Sequence, residues 1–182
     1  MAPKNYHLDK FHIISSTESV VEEIMRLSKS ATDERFFYSN GKWSMAENVE
    51  HLRLSLARSW QGLFVPKFIS RRLFGTPSHQ SLPYEELMEI YNQRLEAGGK
   101  APRPYLPQVK PTNRNEVLDR FDHGVNRYLN EIRYYWEEHH LDQYQFPHPL
   151  LGKITARELM YFNLFHCWHH FRTMRQRNSE AY

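Results

Sequence analysis

The sequence predicts an all-α protein, a four-helix bundle with an elaborated connection containing a short extra helix between the second and third helices. Four long segments repeat apolar residues at the three- and four-residue spacing of a helix. Each of the four opens on a small polar residue with Glu three positions later, the capping box that satisfies free helix N–H groups. Helix breakers gather in two stretches, 75–83 (GTPSHQSLP) and 98–113 (GGKAPRPYLPQVKPTN), where Pro102, Pro104, Pro107 and Pro111 fix φ and remove backbone donors.

The first segment opens at Ser15 with Glu18, or at Ser19 with Glu22, and runs to about Thr32, with Val20, Ile24 and Leu27 on one stripe. The second opens at Ser44 with Glu47 and runs to about Val65, where Pro66 stops it; Met45, Val49, Leu52, Leu56, Trp60 and Leu63 share its apolar face. A shorter helix follows Pro83, from Tyr84 to about Ala97, and is expected to pack across the end of the others. The third long segment opens at Asn113 with Glu116 and runs to about His139, with Leu118, Phe121, Val125, Leu129, Ile132 and Trp136 in register. The fourth opens at Thr155 with Glu158 and reaches about Arg177. No two stretches read as paired strands, and four long amphipathic helices with one elaborated connection define a bundle.

A chain of 182 residues with 40% apolar and 14% aromatic content can bury one substantial core, so residues 1–182 are expected to form a single domain. The opening MAPKNYHLDKF has no apolar stretch after a basic start, and no run of about 18 apolar residues follows. A soluble protein with no export signal and no membrane partner is expected. The one cysteine, Cys167, excludes an intrachain disulfide and an all-cysteine zinc site, and makes a reducing cytoplasm the natural setting. Formal charge is only +3, and the basic clusters KFISRR (67–72) and RTMRQR (172–177) are short and broken by apolar residues. A nucleic-acid partner needs a more continuous basic stripe and is not expected.

The fourth helix carries Leu159, Met160, Tyr161, Phe162, Leu164, Phe165, Trp168, Phe171 and Met174 nearly all round, so it is predicted to be buried. On a wheel, Asn163, His166, His170 and Thr173 fall within about 80° of one another, with His169 at the edge. This polar strip faces protein rather than water. His166 and His170, four residues apart, stack at about 5–6 Å between Cβ atoms, a separation one metal ion can bridge. The spacing alone is weak, because 11 histidines in 182 residues give about 0.6 such pair by chance. Two core histidines bonded to Asn163, Thr173 or backbone would show the same pattern. Burial among aromatic side chains, which offer few partners, favours a metal.

A third ligand must lie at the same depth. At the helical rise, His166 and His170 lie about 16 and 22 Å into the fourth helix, and His51 lies about 20 Å from the far end of the second. Antiparallel second and fourth helices would set His51 level with the pair. His123 is also deep enough, but Asp119, Arg120, Asn126 and Arg127 make its side of the third helix a solvated face. His51 borders Asn48, Ser55, Ser59 and Gly62, small side chains that leave room for an ion and a ligand. The histidines at 7, 12, 79, 139, 140, 148 and 169 read as structural or solvent-facing. Glu47 reads as the second half of its capping box, with orientation of the His51 ring or proton acceptance as the other role. Cys167 reads as a small core residue, and the cluster RYYWEEHH (133–140) as core packing by Tyr135 and Trp136, or else as the roof of a pocket.

Two stretches resemble the DinB/YfiT-like superfamily of metalloenzymes: WSMAENVEHL (43–52), with its Trp, Ser, acidic residue and His around the second helix, and HPLLGKITARELMYFNLFHCWHH (148–170), with its Pro-Gly turn, capped last helix and paired His. The resemblance implies an up-down-down-up order of the four helices and three histidines on a divalent metal, here His51, His166 and His170. Thr173 stands where many relatives have Gln three residues after the last ligand. Three neutral imidazoles leave a divalent ion at least one open position, the catalytic type of site, in which water or a substrate thiol is acidified. Zinc or nickel is expected, with manganese and iron as further candidates. The implied activity is an S-transferase using a low-molecular-weight thiol, or a hydrolase, acting on a small-molecule substrate. The rival is a non-catalytic helical binding or stress-response module with a structural or absent metal. An exposed apolar helix face would allow a homodimer, as relatives often form, and no residue demands one.

Overall fold

Asp9, not Ser15 or Ser19, starts the first helix. In the computed structural model, which describes residues 7–109 and 113–179, α1 spans Lys10–Ser30, and the Asp9 carboxylate accepts the His12 amide at 2.8 Å. Pro111 and the start of the chain, 1–6, lie outside the described residues. With an acceptor already at the true N-terminus, Ser15 falls inside the helix, where its hydroxyl turns back to the His12 carbonyl at 3.2 Å. A single turn, α2 (Asp33–Phe37), is capped by Thr32 and buries Phe36; five residues are too few to show a helical period.

The second long helix, α3 (Met45–Phe64), carries both halves of the expected capping box: Ser44 N–H donates to Glu47 Oε2 at 2.6 Å, and Glu47 N–H to Ser44 Oγ at 3.1 Å. Pro66 stops α3 and also begins another helix, α4 (Lys67–Phe74). Its missing N–H is harmless before a first turn, while its carbonyl accepts from Ile69 and Ser70. Gly75, at φ +83°, ends α4 in the left-handed region that side chains avoid. The connection therefore holds two helices rather than one, α4 and α5 (Tyr84–Glu96), plus a 3₁₀ turn at Arg103–Tyr105. α5 lies against the side of α7 (Ala156–Ser179), not across the helix ends: the Tyr91 ring meets Phe162 and Phe165 edge-on at 5.2 and 6.0 Å.

The third long helix, α6 (Arg114–Tyr135), is capped by Asn113 through the Asn115 amide and stops earlier than the apolar period suggests. Trp136 leaves helical φ/ψ, sinks into the core and donates its indole N–H to the Leu63 carbonyl at 3.3 Å. Tyr135 is 66% exposed, so only one of the two aromatics thought to pack there does so. A 3₁₀ turn, Glu138–His140, follows.

A β-hairpin is present where no strands were expected. β1 (Gln145–His148) pairs antiparallel with β2 (Gly152–Thr155), Phe146 opposite Ile154. Four-residue strands give too little alternation to read, and Pro147 cannot donate to a ladder. The hairpin delivers Thr155 as the cap of α7: Thr155 Oγ1 accepts from Glu158 N–H at 3.1 Å and Glu158 Oε2 accepts from Thr155 N–H at 2.7 Å. Buried Glu158 also accepts the Leu82 amide and faces His79, tying the connection to α7.

The chain is predominantly helical. α3 packs on α6 and α7, and α1 packs on the same two helices. Leu52, Leu56, Phe121, Ile132 and Met160 fill the space between them at 0–1% exposure, each such side chain contributing about 1.5–3 kcal/mol over leaving it in water. Across α3 and α7, Asn48 meets His170, His51 meets His166 and Ser59 meets Asn163, so these helices run antiparallel. Among the described residues, no helix is long and apolar enough to cross a membrane.

Candidate metal centre

The antiparallel pairing of α3 and α7 sets His51 level with His166 and His170, as the depth estimate requires. His51 Nε2 lies 3.0 Å from His166 Nε2, and His170 Nε2 lies 3.1 Å from the same atom. The three ligand nitrogens fall within 4.8 Å of one another, and all three residues are buried. Nitrogens bonded at about 2.0–2.1 Å to one ion would be separated by about 2.8–3.0 Å across an octahedral edge and about 3.3–3.4 Å across a tetrahedral one, a span of about 2.8–3.4 Å. The two short separations match that range.

The opposite edges of the rings fix which nitrogens carry protons. His51 Nδ1 sits 2.7 Å from the Tyr105 carbonyl, which can only accept, so Nδ1–H donates and Nε2 bears the lone pair. Asn48 Nδ2 donates to the Ser44 and Trp43 carbonyls at 2.8 and 3.2 Å, which turns Oδ1 toward His170 Nδ1 at 2.7 Å. His170 is thereby set with its Nε2 lone pair inward as well. Two lone pairs thus point at His166 Nε2, and one N–H there can serve only one of them. His166 Nδ1 is buried with no hydrogen-bond partner among the described residues. No tautomer of His166 serves both lone pairs, whereas a shared cation would take up all three Nε2 atoms at once.

Burial holds the pKa of His51 below the ordinary histidine range, the Tyr105 bond opposing it, and holds those of His166 and His170 well below, with the neighbouring histidines adding to the effect. Neutral rings keep their lone pairs free of competing protons at neutral pH. Trp43 covers the group, 4.7 Å from the His51 ring and stacked at 6.1 Å on His170, and Phe162 stacks on His166 at 4.9 Å. Glu137, His139 and His140 form another group of potential ligands, but it is exposed, and His140 Nδ1 already accepts the Glu137 amide.

A cavity of about 250 Å³ opens beside the trio, lined by His51 and His166 and by Ser55, Ser59, Gly62, Phe146, Leu150 and Phe162. A Cβ at Gly62 would meet Phe146 Cδ1 at 3.2 Å, so a side chain there would crowd this wall. The flank of small residues beside His51 does leave space. Of the remaining sequence candidates, His123 is exposed on α6, Glu47 closes its capping box, and Cys167 is fully buried with its thiol pushed up to about 12 by burial. Thr173 bonds its own helix through the His169 carbonyl. Asn163 bonds Ser59, Tyr128 and Leu159 rather than either histidine.

Three participants were not apparent from sequence. The Tyr105 carbonyl leaves no side-chain signal. Asn48 was noted only as a small neighbour, though it sits one turn before His51. His148 was read as structural or solvent-facing; it lines the cavity, packs on Phe162 at 4.2 Å between ring centroids, and accepts the Leu150 and Leu151 amides on Nδ1, which places its proton on Nε2. Its position just before Pro149 in the turn was the available clue.

Helices of this arrangement with a buried three-histidine group define a helical protein with a site suited to a divalent metal. Residues 14–174 match the family model of the DinB superfamily, and the chain belongs to that superfamily. No curated protein and no solved structure matches the chain.

Proposed function

We propose that the chain is a metal-dependent enzyme in which His51, His166 and His170 hold one divalent ion, zinc or nickel foremost, and that it transforms a small molecule bound in the adjoining cavity. The observation that carries this reading is the convergence of three Nε2 atoms that no arrangement of protons satisfies. Membership of the DinB superfamily agrees with it, and with an up-down-down-up order of α1, α3, α6 and α7. The reaction is S-transfer from a low-molecular-weight thiol, or hydrolysis; both use the same site. A divalent ion supplies Lewis acidity there, polarising a substrate oxygen or sulfur at neutral pH.

The chain's own residues do the rest. Tyr105 and Asn48 lock the outer edges of His51 and His170, so the donor set is formed before anything binds. Phe146, Leu150 and Phe162 exclude water along one wall, which strengthens every electrostatic interaction at the trio. His148 presents Nε2–H in the cavity, as a donor to a substrate oxygen.

The test is metal analysis of protein purified without an affinity tag, with His166→Ala alongside. About one equivalent of ion per chain is expected in the wild type, and none in the variant, which should keep its helical content. Loading to 100 times Kd should stabilise the wild type by about 2.7 kcal/mol. A wild type that neither contains metal nor gains melting temperature from zinc or nickel would leave the non-catalytic module as the reading.

A further inference from the structure

Arg58 and Lys100 also line the cavity beside the trio, and among the described residues no Asp or Glu does. Three other surface cavities each carry carboxylates: Glu116 and Asp119 in one, Glu85 and Glu89 in the second, Glu138 and Asp142 in the third. Arg58 donates to the neutral side chain of Gln61 at 3.1 Å, and neither Arg58 nor Lys100 has an ion pair among the described residues. Arg58 follows His51 by seven residues on α3, on the same face and about 10 Å along the axis. Much of the remaining lining is apolar, from Phe74, Tyr91, Leu95, Phe146, Leu150 and Phe162, with Ser55, Ser59 and His148 as its neutral polar groups. Lys100 comes from the connection whose Tyr105 carbonyl holds His51, so one segment gives both a cation to the lining and a partner to the trio.

We propose that this cavity takes a small organic acid, its apolar body along that wall and its carboxylate held by Arg58 and Lys100, about two helical turns from the histidine trio. Two exposed cations without counter-charge in the lining of a largely apolar cavity attract an anion and repel a cation, and an apolar body is needed to displace water from the wall. The volume, about 250 Å³, is at the small end of ligand pockets and fits a small molecule rather than a polymer segment. The proposal rests on the reading of this cavity as the substrate site.

The experiment uses the full chain, stripped of metal by a chelator, and two probes that share one apolar body: 4-phenylbutyrate and 4-phenylbutan-1-ol. Dissociation constants are measured by calorimetry in the wild type, Arg58→Gln, Lys100→Gln and the double variant. All four should fold alike, since both side chains are exposed. In the wild type the carboxylate should bind about tenfold more tightly than the alcohol, a preference that shrinks as ionic strength rises. The double variant should lose the preference and keep its affinity for the alcohol. Equal binding of both probes by the wild type, or a preference that survives in the double variant, overturns the proposal. Removing the metal eliminates the ion as a second source of anion preference, and zinc is titrated separately into the same stripped wild type. Protein that takes up zinc without discriminating the probes sinks this proposal alone, while protein that discriminates them and never takes up zinc sinks the metal reading alone.

Discussion

At the scale of single residues, the candidate site depends on groups outside the three-histidine cluster. Asn48 receives the Nδ1–H of His170 only because its amide is held by two backbone carbonyls, so its orientation is set by the start of α3 rather than by the histidine. Asn48→Ala should therefore lower zinc affinity about 10–100-fold, as loss of an outer-sphere partner does elsewhere, measured by competition with a chelating dye. An unchanged affinity would mean that the ring is positioned by packing on Trp43 alone. Cys167 makes the contrasting case. Next to His166 in sequence, it is fully buried with its thiol pushed up to about 12, so little thiolate exists at neutral pH. Iodoacetamide at pH 8 should leave it unlabelled in native protein and label it in urea; rapid native labelling would show an accessible thiolate and make it a candidate nucleophile.

At the scale of elements, what could be read from sequence followed chain length and the type of group involved. α3 and α7 repeat their apolar residues over several turns and open on complete capping boxes, so their boundaries and the depth of His51, His166 and His170 were legible. α2, α4, β1 and β2 span eight residues or fewer and were not. Pro66 was read as a stop because its ring blocks continuation of α3, and the same ring can equally open the next helix. The site divides the same way: the three imidazoles stood out by spacing, whereas the Tyr105 carbonyl, which orients one of them, belongs to a proline-rich connection with no period. The hairpin has an energetic role as the support for the α7 cap. Thr155→Ala removes the acceptor for the Glu158 amide and should cost about 1–2 kcal/mol in urea unfolding. Thr155→Ser, which keeps the hydroxyl, should recover most of that. If both variants cost the same, the lost methyl packing rather than the cap is responsible.

At the scale of the whole molecule, burying several neutral imidazoles around one cavity makes folding compete with protons. His148 shows the sign. Burial pushes its pKa down to about 4, against an ordinary histidine value of 6.5. Above pH 6.5 both states of the chain hold this ring neutral and it adds no pH dependence. As pH falls from 6.5 toward 4 the unfolded chain binds a proton that the folded chain refuses, so stability is lost on acidification, by about 3 kcal/mol over that interval. His51, His166 and His170 are shifted in the same direction, so the stripped protein should show a steep acid slope of which His148 supplies one part. His148→Asn isolates that part, because an Asn carbonyl can accept the Leu150 and Leu151 amides in place of Nδ1 without titrating. In chelator, urea unfolding of the variant between pH 7 and 4 should show a shallower fall than the wild type, by up to the same about 3 kcal/mol. Parallel slopes in the two proteins would mean that the ring at 148 takes a proton in the folded state as readily as in the unfolded one, and that the cavity wall it forms is wet.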